Sequence, residues 1–329
     1  MNKRLRAALG AAAIAACALA AAQSPASSDA SGYPKRPIRI VLAFSGGVGE
    51  NLARIVAERL EHDFGQPVIV EPHPGASGNI ASELVARAPP DGYTLLLAQA
   101  ATTLTPATHG ARAVDPIRSF APVARLGTQP WAVVAHHSLN ADSLQSLLDA
   151  ARTKPGRIGY ATPGIGTSNH LSAVMLWSRA GVSMLHVPYS NSGAMMKDVI
   201  TGEVPVAIVA PATAEPYIRT GQVRLLATTG ARRTRNFPDV PTVAESGFPG
   251  FEIESWYGLV APAGTPDEIV ARIHREVSAI LDLPVVRERL LAIGIEPAGA
   301  TTEQFREMIR GEVAKWAALV RAAGIGIDK

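Results

Sequence analysis

The regular alternation of short apolar runs with helical patterns is the feature that most constrains the fold of this chain. Residues 38–44 form a near-continuous apolar run, 45–49 form a glycine-rich turn, and apolar residues then recur at helical spacing from Leu52 to Phe64. The same order recurs as far as about residue 228. Such alternation is typical of sheets joined by crossover helices. We therefore predict an α/β fold whose sheets are mainly parallel.

The pattern of the chain changes after residue 261. Strands are predicted at 123–135 and 253–261, whereas the residues after 261 follow a helical pattern. One apolar stripe at helical spacing runs along the final helix. We expect this stripe to pack in the core; it contains Phe305, Met308, Ile309, Trp316 and Val320.

The N-terminal segment has the features of a secretory signal peptide. It has a basic start, an apolar stretch at 7–22 that is short for a membrane span, and small residues at Ala20 and Ala22. We predict a signal peptide at 1–22 and a Ser/Pro/Ala/Gly-rich linker at 23–32. Cys17 also fits a lipoprotein cleavage box, so lipid anchoring stays an alternative.

Composition excludes several function classes. The 329 residues are enough for about two domains, and Cys17 is the only cysteine, so the exported chain has neither a disulfide nor a cysteine-based site. Without the three basic residues of the signal peptide, basic and acidic residues are equal in number, at 28 each. Because no basic run is present, we predict no nucleic-acid partner. We also expect no metal and no cofactor, since neither ligand spacing nor a nucleotide-binding motif is complete.

Four strand-to-helix turns rich in Gly, Ser and Thr are candidate ligand sites. They lie at 45–50, 98–103, 163–168 and 189–193. In open α/β sheets ligands bind at the carboxyl ends of strands, where helix N-termini favour anions. Each turn taken alone also fits a structural role, because such turns need glycines and caps in any α/β protein.

Ordered sequence blocks match one known family over essentially the whole mature chain. The blocks are YPKRPI at 33–38, GQPV at 65–68, PGASGNI at 74–80, PDGYTLL at 90–96, GTSNHL at 166–171, HVPY at 186–189, DVPTVAE at 239–245 and APAGTP at 261–266. With these blocks the chain resembles the extracytoplasmic solute receptors of tripartite tricarboxylate transporters, the Bug family.

The resemblance implies a two-lobed periplasmic binding protein. Each lobe would hold a mainly parallel sheet flanked by helices, and the chain would cross the hinge twice, near 126–132 and 249–254. We expect lobe 1 at 33–128 and 252–329, and lobe 2 at 129–251. The implied function is capture of a small carboxylated solute in the periplasm by a monomer, for the membrane subunits of a transporter or, alternatively, for a membrane sensor protein.

The predicted ligand-binding residues come from the turns and from the family motifs. They are Phe44, Ser45, Gly46, Gly47, Glu50, Gln99, Thr102, Thr162, Gly166, Thr167, Ser168, His170, Tyr189, Ser192 and Gly193. An enzyme is the competing class, with Ser168 or Ser192 and His170 as a hydrolase pair. We predict a non-enzymatic protein, because residues two apart on a helix point to different faces.

Departures from the family pattern concern the ligand. Members usually have two prolines before the glycine pair and an Asp in the turn, whereas this chain has Ser45 alone and Glu50. Many relatives have an acidic residue where this chain has Val209. An ammonium group would need a desolvated acceptor. We therefore predict a carboxylated ligand that lacks an ammonium group.

Overall fold

The computed structural model describes residues 32–165, 167–189 and 192–322. The predicted signal peptide and all but the last residue of the predicted linker lie outside the described residues, as does Gly166. The strands are β1 (Ile38–Leu42), β2 (Val68–Pro72), β3 (Thr94–Gln99), β4 (Phe120–Pro130), β5 (Ala132–His136), β6 (Gly159–Thr162), β7 (Leu185–Pro188), β8 (Val206–Val209), β9 (Val223–Thr228), β10 (Glu254–Pro262) and β11 (Glu296–Pro297).

The α-helices alternate with these strands through residue 219 and dominate after residue 262. Within the described ranges they are α1 (Gly47–Phe64), α2 (Asn79–Ala86), α3 (Ala100–His109), α4 (Pro116–Ser119), α5 (Leu144–Thr153), α6 (Ser168–Ala180), α7 (Ser192–Thr201), α8 (Pro211–Arg219), α9 (Asp267–Asp282), α10 (Pro284–Ala292) and α11 (Thr302–Ala322).

The strands form two sheets, one in each lobe. The first has the order β11-β4-β10-β3-β1-β2 and the second the order β7-β6-β8-β5-β9. The predicted two-lobed α/β fold is confirmed, but both sheets are mixed and not mainly parallel. Strands β4 and β10 pair antiparallel in the first sheet, and β5 pairs antiparallel with β8 and β9 in the second. These strands adjoin the points where the chain passes between the lobes, so no crossover helix sets their direction.

The first passage between the lobes interrupts the apolar run at 123–135. The pattern predicted one strand at 123–135, and this prediction is wrong. Strand β4 ends at Pro130, and β5 begins at Ala132 in the other sheet. Trp131 lies between them and is buried. Because both strands are buried and follow each other directly, residue pattern alone joined them into one strand, whereas the family resemblance placed a hinge crossing near 126–132. The predicted lobe boundaries stay a prediction.

Helix α11 packs back onto the first sheet. Phe305 and Trp316 are fully buried, Ile309 and Val320 are nearly so, and Met308 packs partly buried beside them, which confirms the predicted core stripe. The Phe305 ring meets Trp256 edge to face, with ring centroids 5.6 Å apart. A Cβ at Gly258 would lie 2.3 Å from Phe305 Cζ, so the glycine leaves the space that this ring fills.

Replacing Phe305 by Ala should therefore lower the free energy of unfolding by about 3–5 kcal/mol, the usual cost of a large aromatic truncation in a core. Urea unfolding followed by circular dichroism measures this loss. The control is Phe44→Ala, since Phe44 is 44% exposed and its loss should cost far less. Equal losses in the two variants would contradict the packing described for α11.

Candidate functional site

Two adjoining cavities, of about 320 and 580 Å³, form one cleft between the lobes. Both are lined by Gln99 and Tyr257 of the first sheet, by Asn169 of the second lobe and by Trp131 at the hinge. Residues at the carboxyl ends of β1 and β3 face the N-terminus of α6 across this cleft. The cleft is therefore the candidate site.

The first-lobe wall is the turn between β1 and α1. Phe44, Ser45, Gly46 and Gly47 line the cleft there. Gly46 and Gly47 both have a φ of 72°, a conformation that strains any residue with a Cβ. This sequence therefore allows a tight turn whose backbone lies directly on the cleft.

Glu50, in the first turn of α1, also lines the cleft. Its carboxylate accepts a hydrogen bond from the Gly46 N–H at 2.6 Å and pairs with Arg54 at 2.6 Å. The Gly46 bond, and then Arg54, lower the pKa of Glu50. The carboxylate is thus ionised and already has partners within its own helix, so it is poorly placed to serve as the counterion of a ligand.

Gln99, at the end of β3, lines both cavities. Its N–H donates to Thr102 Oγ1 at 3.2 Å, which caps the first turn of α3. Thr102 is buried, 9% exposed, and bonds to the backbone in this turn. The two residues thus divide the predicted roles, since Gln99 faces the cleft and Thr102 holds the turn.

The second-lobe wall is the N-terminus of α6. Thr167 caps this helix: its Oγ1 accepts from the His170 N–H at 3.3 Å and donates to the Gly164 carbonyl at 2.8 Å. Thr167 and Ser168 both line the cleft. In the described part of the chain the Ser168 hydroxyl makes no hydrogen bond. Ser168 is therefore a donor that a ligand can use without breaking a cap.

His170 lies behind this wall. Its ring stacks on His186, with centroids 4.0 Å apart, and His186 stacks in turn on Tyr160. His186 Nε2 lies 2.7 Å from Oγ1 of Thr162, a fully buried residue. These side chains support the wall from inside the second lobe.

The remaining predicted residues divide between the cleft and its surroundings. Ser192 lines both cavities. Tyr189 donates its hydroxyl proton to Asp198 at 2.7 Å and packs against the second lobe's core. Gly193 lies in the first turn of α7, outside the lining of the two cavities. A binding role stays a prediction for all of the predicted residues, including those that line the cleft.

Four residues that line the deep part of the cleft were not predicted from the sequence. These are Gln129, Trp131, Asn169 and Tyr257, all of which are nearly buried. Gln129 and Tyr257 contact each other, with the Tyr257 hydroxyl 3.4 Å from Gln129 Oε1. Asn169 donates to the Ile208 carbonyl at 3.2 Å, which ties α6 to β8. Three of the four lie on or beside the hinge strands, where buried aromatic and amide side chains have the pattern of ordinary core residues.

The described residues contain no group of three or more His, Cys, Asp and Glu side chains placed to hold a metal ion. No helix there combines the length and the apolar character needed to cross a bilayer.

The sequence matches the profile of the tripartite tricarboxylate transporter family receptors over residues 52–325. It is also 33% identical over 310 residues to protein BugT of Bordetella pertussis, an alignment that covers 93% of this chain and 94% of BugT. The chain therefore belongs to this family of receptors, and the Bug-family resemblance is confirmed. Because the family consists of solute-binding receptors, the prediction of a non-enzymatic protein is confirmed as well.

Solved structures of similar proteins carry bound acids. Rpa4515 of R. palustris, described with adipate, has a TM-score of 0.80 and 33% identity, covering 89% of this chain and 98% of that one. MatC (Rpa3494) of Rhodopseudomonas palustris, with bound malate, has a TM-score of 0.75 and 29% identity, covering 88% of this chain and 100% of that one. The fold described above is thus the fold of these binding proteins.

The stacked histidines predict a pH-dependent stability. Burial, and then the neighbouring His186, lower the pKa of His170 from 6.5 to about 4. Below pH 6.5 the unfolded chain takes up a proton that the folded chain excludes, so the free energy of unfolding should fall from pH 6.5 toward pH 4. The slope is at most about 1.4 kcal/mol per pH unit for one histidine.

Urea unfolding across that range of pH measures the effect. His170→Gln should reduce the slope relative to the wild type. A His170→Gln variant that loses stability as steeply as the wild type would contradict the buried, neutral state of His170.

Proposed function

We propose that this protein captures a small organic acid in the cleft and delivers it to the membrane subunits of a tripartite tricarboxylate-type transporter. One observation carries the proposal: Ser168 at the α6 N-terminus and the Phe44–Glu50 turn line opposite walls of the same cleft. The adipate and malate of the two structural relatives support a carboxylate ligand. Export by the N-terminal signal peptide would place this monomeric receptor in the periplasm.

The α6 N-terminus supplies the chemistry for a carboxylate. Unpaired N–H groups and the helix dipole favour negative charge at this end of a helix. Ser168 adds a hydroxyl donor, and the Asn169 side chain lines the cleft beside it. A ligand carboxylate can therefore bind to the second lobe while the rest of the molecule contacts the first.

The remainder of the cleft favours a ligand without an ammonium group. Glu50 is engaged by Gly46 and Arg54, and Val209 presents a buried apolar side chain to the cleft. Leu42, Leu97 and Trp131 extend this apolar lining. An ammonium group would lose its hydration there without gaining an uncommitted carboxylate, which disfavours amino acids.

A thermal-shift panel tests the proposal. It contains aliphatic mono-, di- and tricarboxylates, with adipate and malate among them, aromatic acids, aspartate and glutamate. A ligand at about 100 times its dissociation constant should add about 2.7 kcal/mol to stability, which raises the melting temperature by several degrees. Stabilisation by aspartate or glutamate, with none by the simple acids, would overturn the proposed specificity. Mass spectrometry of the denatured protein detects an acid that copurifies.

Ser168→Ala and Thr167→Ala should separate binding from capping. Ser168→Ala should weaken the binding of the acid identified in the panel by about 1–3 kcal/mol. It should leave the melting temperature of the ligand-free protein unchanged. Thr167→Ala removes the α6 cap and should itself cost about 1 kcal/mol of stability. Calorimetry gives the affinities, with the exposed Ser183→Ala as control. Unchanged affinity in Ser168→Ala would remove Ser168 from the site.

A further inference from the structure

A second large cavity, of about 480 Å³, lies on the opposite face of the hinge from the cleft. Thr128 and Pro130 line this cavity, whereas Gln129 and Trp131 line the cleft. Successive residues of a strand point to opposite faces, so the same stretch of chain serves both cavities. We call the second one the back cavity.

A β-bulge adds Arg125 to the back cavity. Gly127 lies opposite Tyr257, but the next partner of β10, Gly258, lies opposite Arg125, so Leu126 is an extra residue in β4. The bulge reverses the alternation at this point and turns Arg125 to the same face as Thr128. Arg125 lines the back cavity accordingly.

The charges around the back cavity are mainly positive. Arg125 comes from β4, Arg287 comes from α10, and three arginines come from the loop after β9; this loop supplies Arg232, Arg233 and Arg235. The acidic side chains that line the cavity are Glu254 and Glu296. Five guanidinium groups thus surround a space with two carboxyl groups, and they come from elements attached to both sheets.

Most of these arginines are weakly neutralised. Arg233 Nε donates to both carboxylate oxygens of Glu245, at 2.9 and 3.1 Å. In contrast, the nearest guanidinium nitrogen of Arg235 is 3.9 Å from the Glu296 carboxylate, and that of Arg287 is 4.0 Å from the Asp282 carboxylate. Within residues 32–165, 167–189 and 192–322, Arg125 and Arg232 have no carboxylate oxygen within 4 Å. Arg125 Nε is also buried without a hydrogen-bond partner.

Glu254 compensates these charges only in part. Burial has the largest influence on its carboxyl group and raises the pKa. The residue lies at the start of β10, where Thr128, the Ala231 backbone and Arg125 lower the pKa of this group. Because five guanidinium groups and two carboxyl groups line the cavity, positive charge is in excess there.

We propose that the back cavity binds a small multivalent oxyanion, with inorganic phosphate as its simplest representative. Guanidinium groups present planar pairs of N–H donors that match the oxygens of a phosphate or sulfate. Because Arg125 and Arg287 belong to the first lobe, while Arg232 follows a strand of the second sheet, the bound oxyanion ties the lobes together at the back of the hinge. This site is separate from the cleft and does not depend on the identity of the cleft ligand.

Calorimetry and thermal shift with inorganic phosphate test the proposal on the full chain, with sodium chloride at equal ionic strength as reference. Phosphate should bind and stabilise the wild type beyond the chloride effect. Arg232→Gln and Arg125→Gln should each lower the phosphate affinity about tenfold or more, since one charge-assisted hydrogen bond is lost. Arg118→Gln, which removes the same charge at an 89% exposed side chain, should change it less than about twofold.

Three results would overturn the proposal. These are no phosphate effect beyond chloride, equal phosphate affinity in the wild type and Arg232→Gln, and an equal loss in Arg118→Gln. Because Arg232 is exposed, its variant should fold normally even if Arg125→Gln does not. The last measurement is cosedimentation of the protein with phosphatidylglycerol vesicles. If the protein sediments with the vesicles only when Arg232 is present, and does not respond to free phosphate, the cavity binds a lipid headgroup instead.

Discussion

The antiparallel pairing of β4 with β10 is the constraint on which the rest of the structure depends. The two strands pair along their lengths, from Pro130 opposite Glu254 to Phe120 opposite Pro262. Both adjoin the passages between the lobes, so this ladder joins the first sheet to the hinge. One face of the ladder contributes Gln129 and Tyr257 to the cleft, and the other contributes Thr128 and Glu254 to the back cavity. Packing of Phe305 into the space left by Gly258 holds the ladder against α11.

In the proposed binding mode, the cleft recognises a charged ligand without contributing an uncommitted charge of its own. Glu50 is neutralised by Arg54 within α1, and the turn before it exposes backbone because two glycines adopt a positive φ. On the opposite wall, Ser168 and the N–H groups of α6 favour an anion, while Val209 and Trp131 line the space between. Such a site selects an acid by hydrogen bonds at one end and by shape along the rest of the molecule. Thr167 and His170 act on the scaffold, because they cap and support the helix that carries Ser168.

The sequence predicted those features that depend on local pattern. The glycine-rich turn after β1 and the buried stripe on α11 follow from residue type and spacing, and the family blocks predicted the two lobes. Thr167 was predicted as a ligand-binding residue, and the structure shows that it also caps α6. The family resemblance placed a hinge crossing near 126–132, but residue pattern alone read 123–135 as one strand and did not show the break at Trp131. The antiparallel pairs in both sheets were not predicted either, because strand direction at the hinge depends on how the lobes are joined. Gln129 and Tyr257 resemble core residues in sequence, and their place on the cleft follows only from the pairing of β10 with its neighbours.

We propose that the two lobes close on the carboxylate bound in the cleft, and a distance between the lobes tests this most directly. With Cys17 replaced by Ala the chain has no other cysteine. Ile80 on α2 and Lys197 on α7 are exposed and lie in different lobes, so both can be changed to Cys and spin-labelled. Pulsed electron resonance then measures the distance between the labels with and without the acid that stabilises the protein most. We expect a shorter and narrower distance distribution when the acid is bound. Calorimetry on the same labelled protein shows whether the acid saturates it. An unchanged distance distribution at saturation would contradict closure of the lobes.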